Sequence, residues 1–236
     1  MGIEIAKEVN GEVISADSRA IYKYMDIGTA KPLPEEMEGI PHFGIDLVEP
    51  GERFTVSDWK EYALSRIEEI RNRGHVPIVV GGTGLYVDAL VYDYQFMGKT
   101  GEKADKNASA EQKSCSDRQK MVNEYAVFGI KWENEALRAR LTQRMNKLFV
   151  QKLYDETNFL VEKYGWGSQA MKSNIYQFVY GYLAGKYTLD EAKRLATLDD
   201  YHLAKRQMTW FKRNPEIKWL PLDKIKPAVL KCIQNG

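Results

Sequence analysis

Apolar and polar positions along this chain keep two rhythms, and the rhythm changes at glycines and prolines. Ile3, Ala6 and Val9 fall near one helical face, and Asn10-Gly11 ends that helix. Val13-Ile14 is a short apolar strand that breaks into a polar run, Ser15 to Arg19. Pro32 to Pro41 is a turn-rich connector, and His42 to Asp46 predicts a short strand. Thr55-Val56-Ser57-Asp58 opens a helix with Thr55 as its cap. Val56, Trp59, Ala63, Ile67 and Ile70 keep helical spacing, and Gly74 closes the helix. Val76-Pro77-Ile78-Val79-Val80 is a continuous apolar run, suited to a strand buried on both faces. Gly81-Gly82-Thr83-Gly84 turns it into a helix from Leu85 to Leu90.

Residues 97 to 118 change character. Gly98, Lys99, Gly101, Lys103, Lys106, Ser109, Ser114 and Ser116 dominate, which predicts a flexible linker. Tyr125 to Ile130 reads as another strand. Asn134 caps a predicted long helix with Leu137, Leu141, Met145 and Leu148 on one face. Arg138, Arg140, Arg144 and Lys147 lie on the others, as on an ordinary solvated surface. An amphipathic helix follows from Lys152 to Lys163, closed by Gly165. Thr188-Leu189-Asp190-Glu191 is a capping box whose helix runs toward Trp210. Ile217-Lys218-Trp219-Leu220 predicts a last strand, followed by a short helix through Ile233. Strands separated by helices predict an α/β protein with a parallel sheet flanked by helices and a mostly helical C-terminal part. Residues 1–92 form the N-terminal part of the core, 93–123 a loop, and 124–236 the rest of the core with the C-terminal helices.

Bulk composition narrows this picture only a little. Of 236 residues, 44% are hydrophobic and 28% charged, ordinary for a soluble globular protein. The net charge is +1, so any nucleic-acid site must come from local clustering of Lys and Arg. Cys115 and Cys232 have no metal-ligand spacing, and a reduced, cytoplasmic protein is the expectation. No apolar run is long enough to cross a bilayer, and Met1-Gly2-Ile3-Glu4 lacks the regions of a signal peptide.

Three stretches carry candidate chemistry. Ligands of open α/β sheets sit beyond the carboxyl ends of strands, so Asp17 is placed for chemistry. The competing reading is that Asp17 and Ser18 cap the next turn. At Gly81 to Gly84, a strand–turn–helix unit can aim N–H groups at an anion or a base, although a tight turn explains the glycines equally well. Lys205-Arg206 and Lys212-Arg213, interleaved with Trp210 and Phe211, suit phosphate contact and base stacking. The alternative there is a helix end stabilised by cations, with its aromatics in the core. His42 reads as structural.

Read together, these blocks resemble a known signature. Asp17-Ser18, Met25-Asp26-Ile27-Gly28-Thr29-Ala30-Lys31-Pro32, Gly81-Gly82-Thr83-Gly84-Leu85-Tyr86 and Ala204-Lys205-Arg206-Gln207-Met208-Thr209-Trp210-Phe211 stand in the order found in the tRNA dimethylallyltransferases (tRNA isopentenyltransferases). The resemblance implies a P-loop NTPase-like parallel sheet. Family members carry a first strand and a G-x-x-x-x-G-K-[ST] loop before the first helix seen here, and both are absent from this sequence. The downstream blocks keep the pattern, so a late start of the sequence is expected rather than a degenerate relative. A helical insertion that grips the anticodon stem is cut down to residues 93–123. Ile175 stands where a Gly usually precedes the Tyr176 position, and Asp200-Tyr201 occupy a region where many members carry Arg.

The resemblance also implies transfer of a dimethylallyl group from its diphosphate to the exocyclic amine of an adenosine beside the tRNA anticodon. Asp17 is then the catalytic base and meets tRNA together with Ser18, Arg19 and Ala20. Thr83, Lys205 and Arg206 join that tRNA-binding set, Trp210 packs, and Lys172 reaches the diphosphate. Mg²⁺ is the implied cofactor, with no protein metal ligand assigned. The implied partners are the tRNA anticodon loop and dimethylallyl diphosphate, with no membrane, acting on a monomer. Two other classes stay open at this point: a non-catalytic tRNA-binding relative, and a nucleotide kinase-like phosphotransferase.

Overall fold

A computed structural model describes residues 1–96, 125–168, 170–172 and 175–235. The linker reading at 97–118, and most of the 93–123 loop, lie outside the described residues. Helix α1 (Gly2–Val9) ends at Asn10, whose left-handed φ of 52° reverses the chain into strand β1 (Gly11–Ser15). Helix α2 (Pro34–Met37) precedes strand β2 (His42–Phe43). This strand is shorter than its sequence predicts because Gly44, at φ 80°, turns the chain away. Helix α3 (Val56–Asn72) starts at the expected capping box, in which Thr55 and Asp58 bond reciprocally. It leads to strand β3 (Val76–Val80) and helix α4 (Gly84–Val91).

Strand β1 is central and parallel to both neighbours, in the order β2-β1-β3. The register sets Ser15 opposite Val80, so β1 and β3 end level with each other. Below them Trp59 of α3 is fully buried and stacks on Tyr86 of α4, with ring centroids 4.5 Å apart. Such pairing adds about 0.5–1.5 kcal/mol beyond area burial. Strand β3 differs from its predicted two-sided burial: Val76 to Val79 are half-buried and Val80 is 42% exposed. Among the described strands β3 pairs only with β1, and its residues line a large cavity.

Strand β4 (Phe128–Ile130) pairs in parallel with β5 (Lys218–Leu220) as a second sheet. Only three residues of the predicted 125–130 strand meet a partner, which sets its length. Helix α5 (Asn134–Leu148) begins one residue earlier than a cap at Asn134 requires; Glu133 is the cap residue and Asn134 is helical. Helices α6 (Gln151–Tyr164), α7 (Tyr176–Leu183) and α8 (Leu189–Phe211) pack with α5 around Met145, Leu153, Leu160, Val179, Ala192 and Ala196. Met25 enters this helical core from the loop after β1, so the loop belongs to both halves. Helix α9 (Leu222–Gln234) closes the described chain. Among the described residues no helix is long and apolar enough to cross a membrane.

One buried ion cluster braces the amino end of the sheet. Glu12 on β1 is 3% exposed and accepts Nη2 of Arg73 at 2.7 Å and Nε at 3.1 Å. His75 Nδ1 lies 2.5 Å from the same carboxylate. The Arg73 guanidinium holds the Glu12 carboxyl below the ordinary carboxylate range, against the opposing pull of burial. A lowered folded-state pKa gives stability that is present above the unfolded value and lost as pH falls through the folded one. Stability in urea is therefore expected to hold from pH 6 to the ordinary carboxylate value of 4.5 and to drop as pH is taken on down to about 3. Glu12→Gln is expected to cost about 1–3 kcal/mol at pH 7 and to flatten that drop. Urea midpoints of both proteins at the two ends of this range provide the measurement.

Candidate active site at the carboxyl end of the parallel sheet

The level ends of β1 and β3 bring their two following turns together. The Ala16 N–H donates to Val80 O at 2.8 Å, and the Thr83 N–H donates back to Ala16 O at 3.1 Å. A Cβ at Gly81 would sit 2.3 Å from the Ala16 carbonyl, so only glycine allows this approach. Trp59 reaches across from α3 and donates its indole N–H to Ser15 O at 3.0 Å. The point where β1 turns into Asp17 is thus held from two sides.

Asp17 follows buried Ala16 and is half-buried. Its Oδ1 accepts the Arg19 N–H at 2.8 Å, which is the local cap considered from sequence. Ser18 donates its N–H to Thr83 Oγ1 at 2.9 Å, and the Thr83 hydroxyl donates to Ser18 Oγ at 3.2 Å. Thr83 stands at the cap position of α4, yet its side chain makes no capping bond. The hydroxyl is instead committed to the segment that carries Asp17.

Helix α8 lies over the glycine turn. A Cβ at Gly82 would meet the Gln207 amide at 2.2 Å, and one at Gly84 would meet Trp210 Cδ1 at 2.3 Å. Trp210 donates its indole N–H to Asp88 Oδ2 on α4 at 2.8 Å, which fixes the packing role expected of it. This docking brings Lys205 and Arg206 to the site. They line a basic cleft of about 440 Å³ with His202, Thr209, Trp210 and Arg213. They also line the main cavity, of about 1960 Å³, which includes Asp17, Ser18, Arg19, Thr83 and Lys172. Lys172 is exposed, in the turn before α7. Ala20 stands apart: its methyl is buried, and its carbonyl accepts the Asp46 N–H at 3.1 Å.

Several contributors carried no sequence signal. Trp59 reads only as one apolar position on a helix, and Gln207 received no role within its block. The basic face of α5 is more than a solvated surface. Arg138 lies 4.0 Å from the centroid of the Tyr201 ring, and Lys205 lies 5.0 Å from it. Arg144 sits 3.7 Å from Asp200, where the resemblance expects an Arg. Burial raises the Asp200 carboxyl above its ordinary range, and Arg144 pulls against that shift.

The IPP transferase family model matches residues 20–124 and 97–214. The chain is 35% identical to the tRNA dimethylallyltransferase of Carboxydothermus hydrogenoformans, over 95% of this chain and 88% of that protein. The chain belongs to the tRNA dimethylallyltransferase family. The Acetivibrio thermocellus tRNA dimethylallyltransferase is 36% identical, over 94% of this chain and 87% of its own length. A crystal structure of the tRNA isopentenylpyrophosphate transferase from Staphylococcus epidermidis superposes with a TM-score of 0.82 at 30% identity, over 99% of this chain and 94% of that one. The Bacillus halodurans enzyme gives 0.81 at 29%, over 99% of this chain and 90% of its own. These likenesses bear out the parallel sheet flanked by helices.

The glycine turn gives a direct test of α8 docking. Gly84→Ala forces the rigid Trp210 ring to move and is expected to cost about 1–3 kcal/mol. Gly82→Ala meets only the mobile end of Gln207 and is expected to cost less than about 1 kcal/mol. Urea midpoints of the two variants, compared with wild type, check the order.

Proposed function

We propose that this protein transfers a dimethylallyl group from dimethylallyl diphosphate to the N6 amine of the adenosine adjacent to the tRNA anticodon. One observation carries the reading. In a chain 35% identical to a tRNA dimethylallyltransferase over 95% of its length, Asp17, Ser18, Thr83, Lys205 and Arg206 all line one long cavity beside β3, the first three where β1 and β3 end. Fold likeness extends to a eukaryotic dimethylallyltransferase whose structure was solved acting on tRNA, at a TM-score of 0.77 and 20% identity.

The chemistry follows from the groups in that cavity. The adenine N6 lone pair is delocalised into the ring, so the amine is a poor nucleophile. A carboxylate that accepts its proton as the C–N bond forms accelerates such a step by about 10²–10⁴-fold. Asp17 supplies that carboxylate, and its Asx turn with Arg19 fixes the direction it faces. Ser18 and Thr83 hold this segment to the glycine turn. The C–O bond to the diphosphate breaks as the C–N bond forms, and the leaving group carries away the electron pair. Lys172 offers a cation to that charge from the cavity wall. Lys205 and Arg206 meet the RNA backbone, which leaves the target base free to leave its stack and enter the cavity.

Mg²⁺ is proposed only as an escort of the diphosphate. Among the described residues no group of three or more His, Cys, Asp or Glu is placed to hold a metal ion. The roles given to Asp17 and Lys172 do not pass through a metal held by the protein. The site we read is completed by a single chain acting in the cytoplasm, where its tRNA is met.

Asp17→Asn keeps an acceptor oxygen for the Arg19 N–H but removes the base. Transfer, read as dimethylallyl-adenosine by mass spectrometry of digested tRNA, is expected to fall by about 10²–10⁴-fold. The Kd for tRNA should move less than about threefold, because the turn is kept. Near-normal turnover removes Asp17 from the mechanism. Lys205→Ala with Arg206→Ala is expected to weaken tRNA binding and to reduce the log–log salt slope by about 1.4, the value for two lost single-strand contacts. An unchanged slope returns both residues to helix-end stabilisation.

A further inference from the structure

The Met25 to Pro32 block is the part of the signature that the chemistry above leaves unused. Its geometry points to one residue outside it. Glu156 leaves α6 and meets this loop with both carboxylate oxygens. Oε2 accepts the N–H of Asp26 at 3.0 Å and of Ile27 at 2.8 Å. Oε1 accepts the Gly28 N–H at 3.0 Å and the Tyr176 hydroxyl at 2.6 Å. Three successive backbone amides and a buried phenol thus close on one anion, and such bonds are about twice as strong as neutral ones.

The partners of Glu156 belong to two segments that both line the cavity. Gly28 and Thr29 line it from the loop, and Lys172 and Ile175 line it from the turn before α7, whose first residue is Tyr176. Tyr176 is fully buried, and a Cβ on Gly28 would lie 2.3 Å from its ring. The loop therefore lies flush on the aromatic face while the carboxylate holds it there. Glu156 does not itself line the cavity.

A continuous set of bonds leads from this latch to Asp17. Asp26 Oδ1 accepts Lys31 Nζ at 2.7 Å, and the same ammonium donates to Tyr22 O and Asp46 Oδ1, each at 2.5 Å. The Lys31 side chain is 4% exposed. The Tyr22 N–H donates to Arg19 O at 3.3 Å, and the Arg19 N–H donates to Asp17 Oδ1 at 2.8 Å. We propose that Glu156 is a positioning residue: it fixes the loop carrying Asp17 against the start of α7, beside the turn carrying Lys172, and so sets the distance between the base and the leaving group. The proposal deepens the transferase reading and rests on it.

Glu156→Gln puts an NH₂ where one of the two oxygens accepts, so at least one loop amide loses its acceptor. Tyr176→Phe keeps the three amide bonds and removes only the phenol. Amide exchange of residues 26–28 is expected to quicken at least about tenfold in Glu156→Gln, with faster exchange spreading to 17–20. Exchange in α3 should stay as in wild type. In the transfer assay kcat is expected to fall by about 10–100-fold, as for a misaligned pair of reactants. The KM of each substrate should move less than about threefold, because neither binding group is removed. Tyr176→Phe should give the same pattern, weaker. Unchanged exchange at 17–20 overturns the proposal. So does a kcat that is unaltered, or that falls only in proportion to the folded fraction read by circular dichroism. If the wild-type chain makes no dimethylallyl-adenosine, the transferase reading fails, and the exchange arm decides the latch alone.

Discussion

Everything at the site depends on how closely two backbone turns approach. Strands β1 and β3 end level, with Ser15 opposite Val80, and the chain beyond each end has nowhere to go but over the other. Gly81 meets the Ala16 carbonyl at a distance that no side chain tolerates. The two reciprocal hydrogen bonds between Ala16 and the 80–83 turn satisfy polar groups that burial would otherwise leave unpaired. From that junction the Thr83 hydroxyl is free to leave its own helix and take hold of Ser18. Asp17 is thereby fixed in direction without being buried.

Two further layers rest on this junction. Beneath it, Trp59 fills the space between sheet and helices and anchors Ser15 with its one polar atom. Above it, α8 can lie close only because Gly82 and Gly84 have no side chains in its way. The cations at Lys205 and Arg206 come to the cavity as a consequence of that packing, since Trp210 and Gln207 set the angle of the helix. A basic cleft and a carboxylate then face one space, the arrangement that suits a polyanion carrying a nucleophile to be deprotonated.

Among the described residues the two sheets are separate, and the loop between β1 and β2 reaches the helical half through Met25 in its core and through Glu156. Glu156 accepts three successive amides of that loop, and Lys31 within it donates to Tyr22 O and Asp26 and reaches past β2 to Asp46. A buried or half-buried charge with this many partners is costly to displace, because losing one partner strands the rest. In the Asp26 to Lys31 block, Asp26, Ile27 and Gly28 donate their amides to Glu156, Lys31 ties back to Asp26, and Gly28 is fitted to the Tyr176 ring.

Most elements are legible in the sequence in order and type, because caps, glycine stops and apolar spacing are local; the short helix α2 inside the Pro32 to Pro41 connector and helix α7 are the two that its pattern does not announce. Thr55, Thr188 and Asn10 do in the fold what their positions predict, since each acts within a few residues of itself. The sequence also marked Asp17, Thr83, Lys205 and Arg206, through blocks whose family is now established. Relations across the chain come from packing alone: Trp59 on Ser15, Gln207 on Gly82, Arg138 and Lys205 on the ring of Tyr201, and Glu156 on three amides about 130 residues away. The half-exposure of β3 and the one-residue shift at the start of α5 have the same origin. Burial and capping at those places are set by which neighbour the strand or helix end meets, and periodicity carries no record of neighbours.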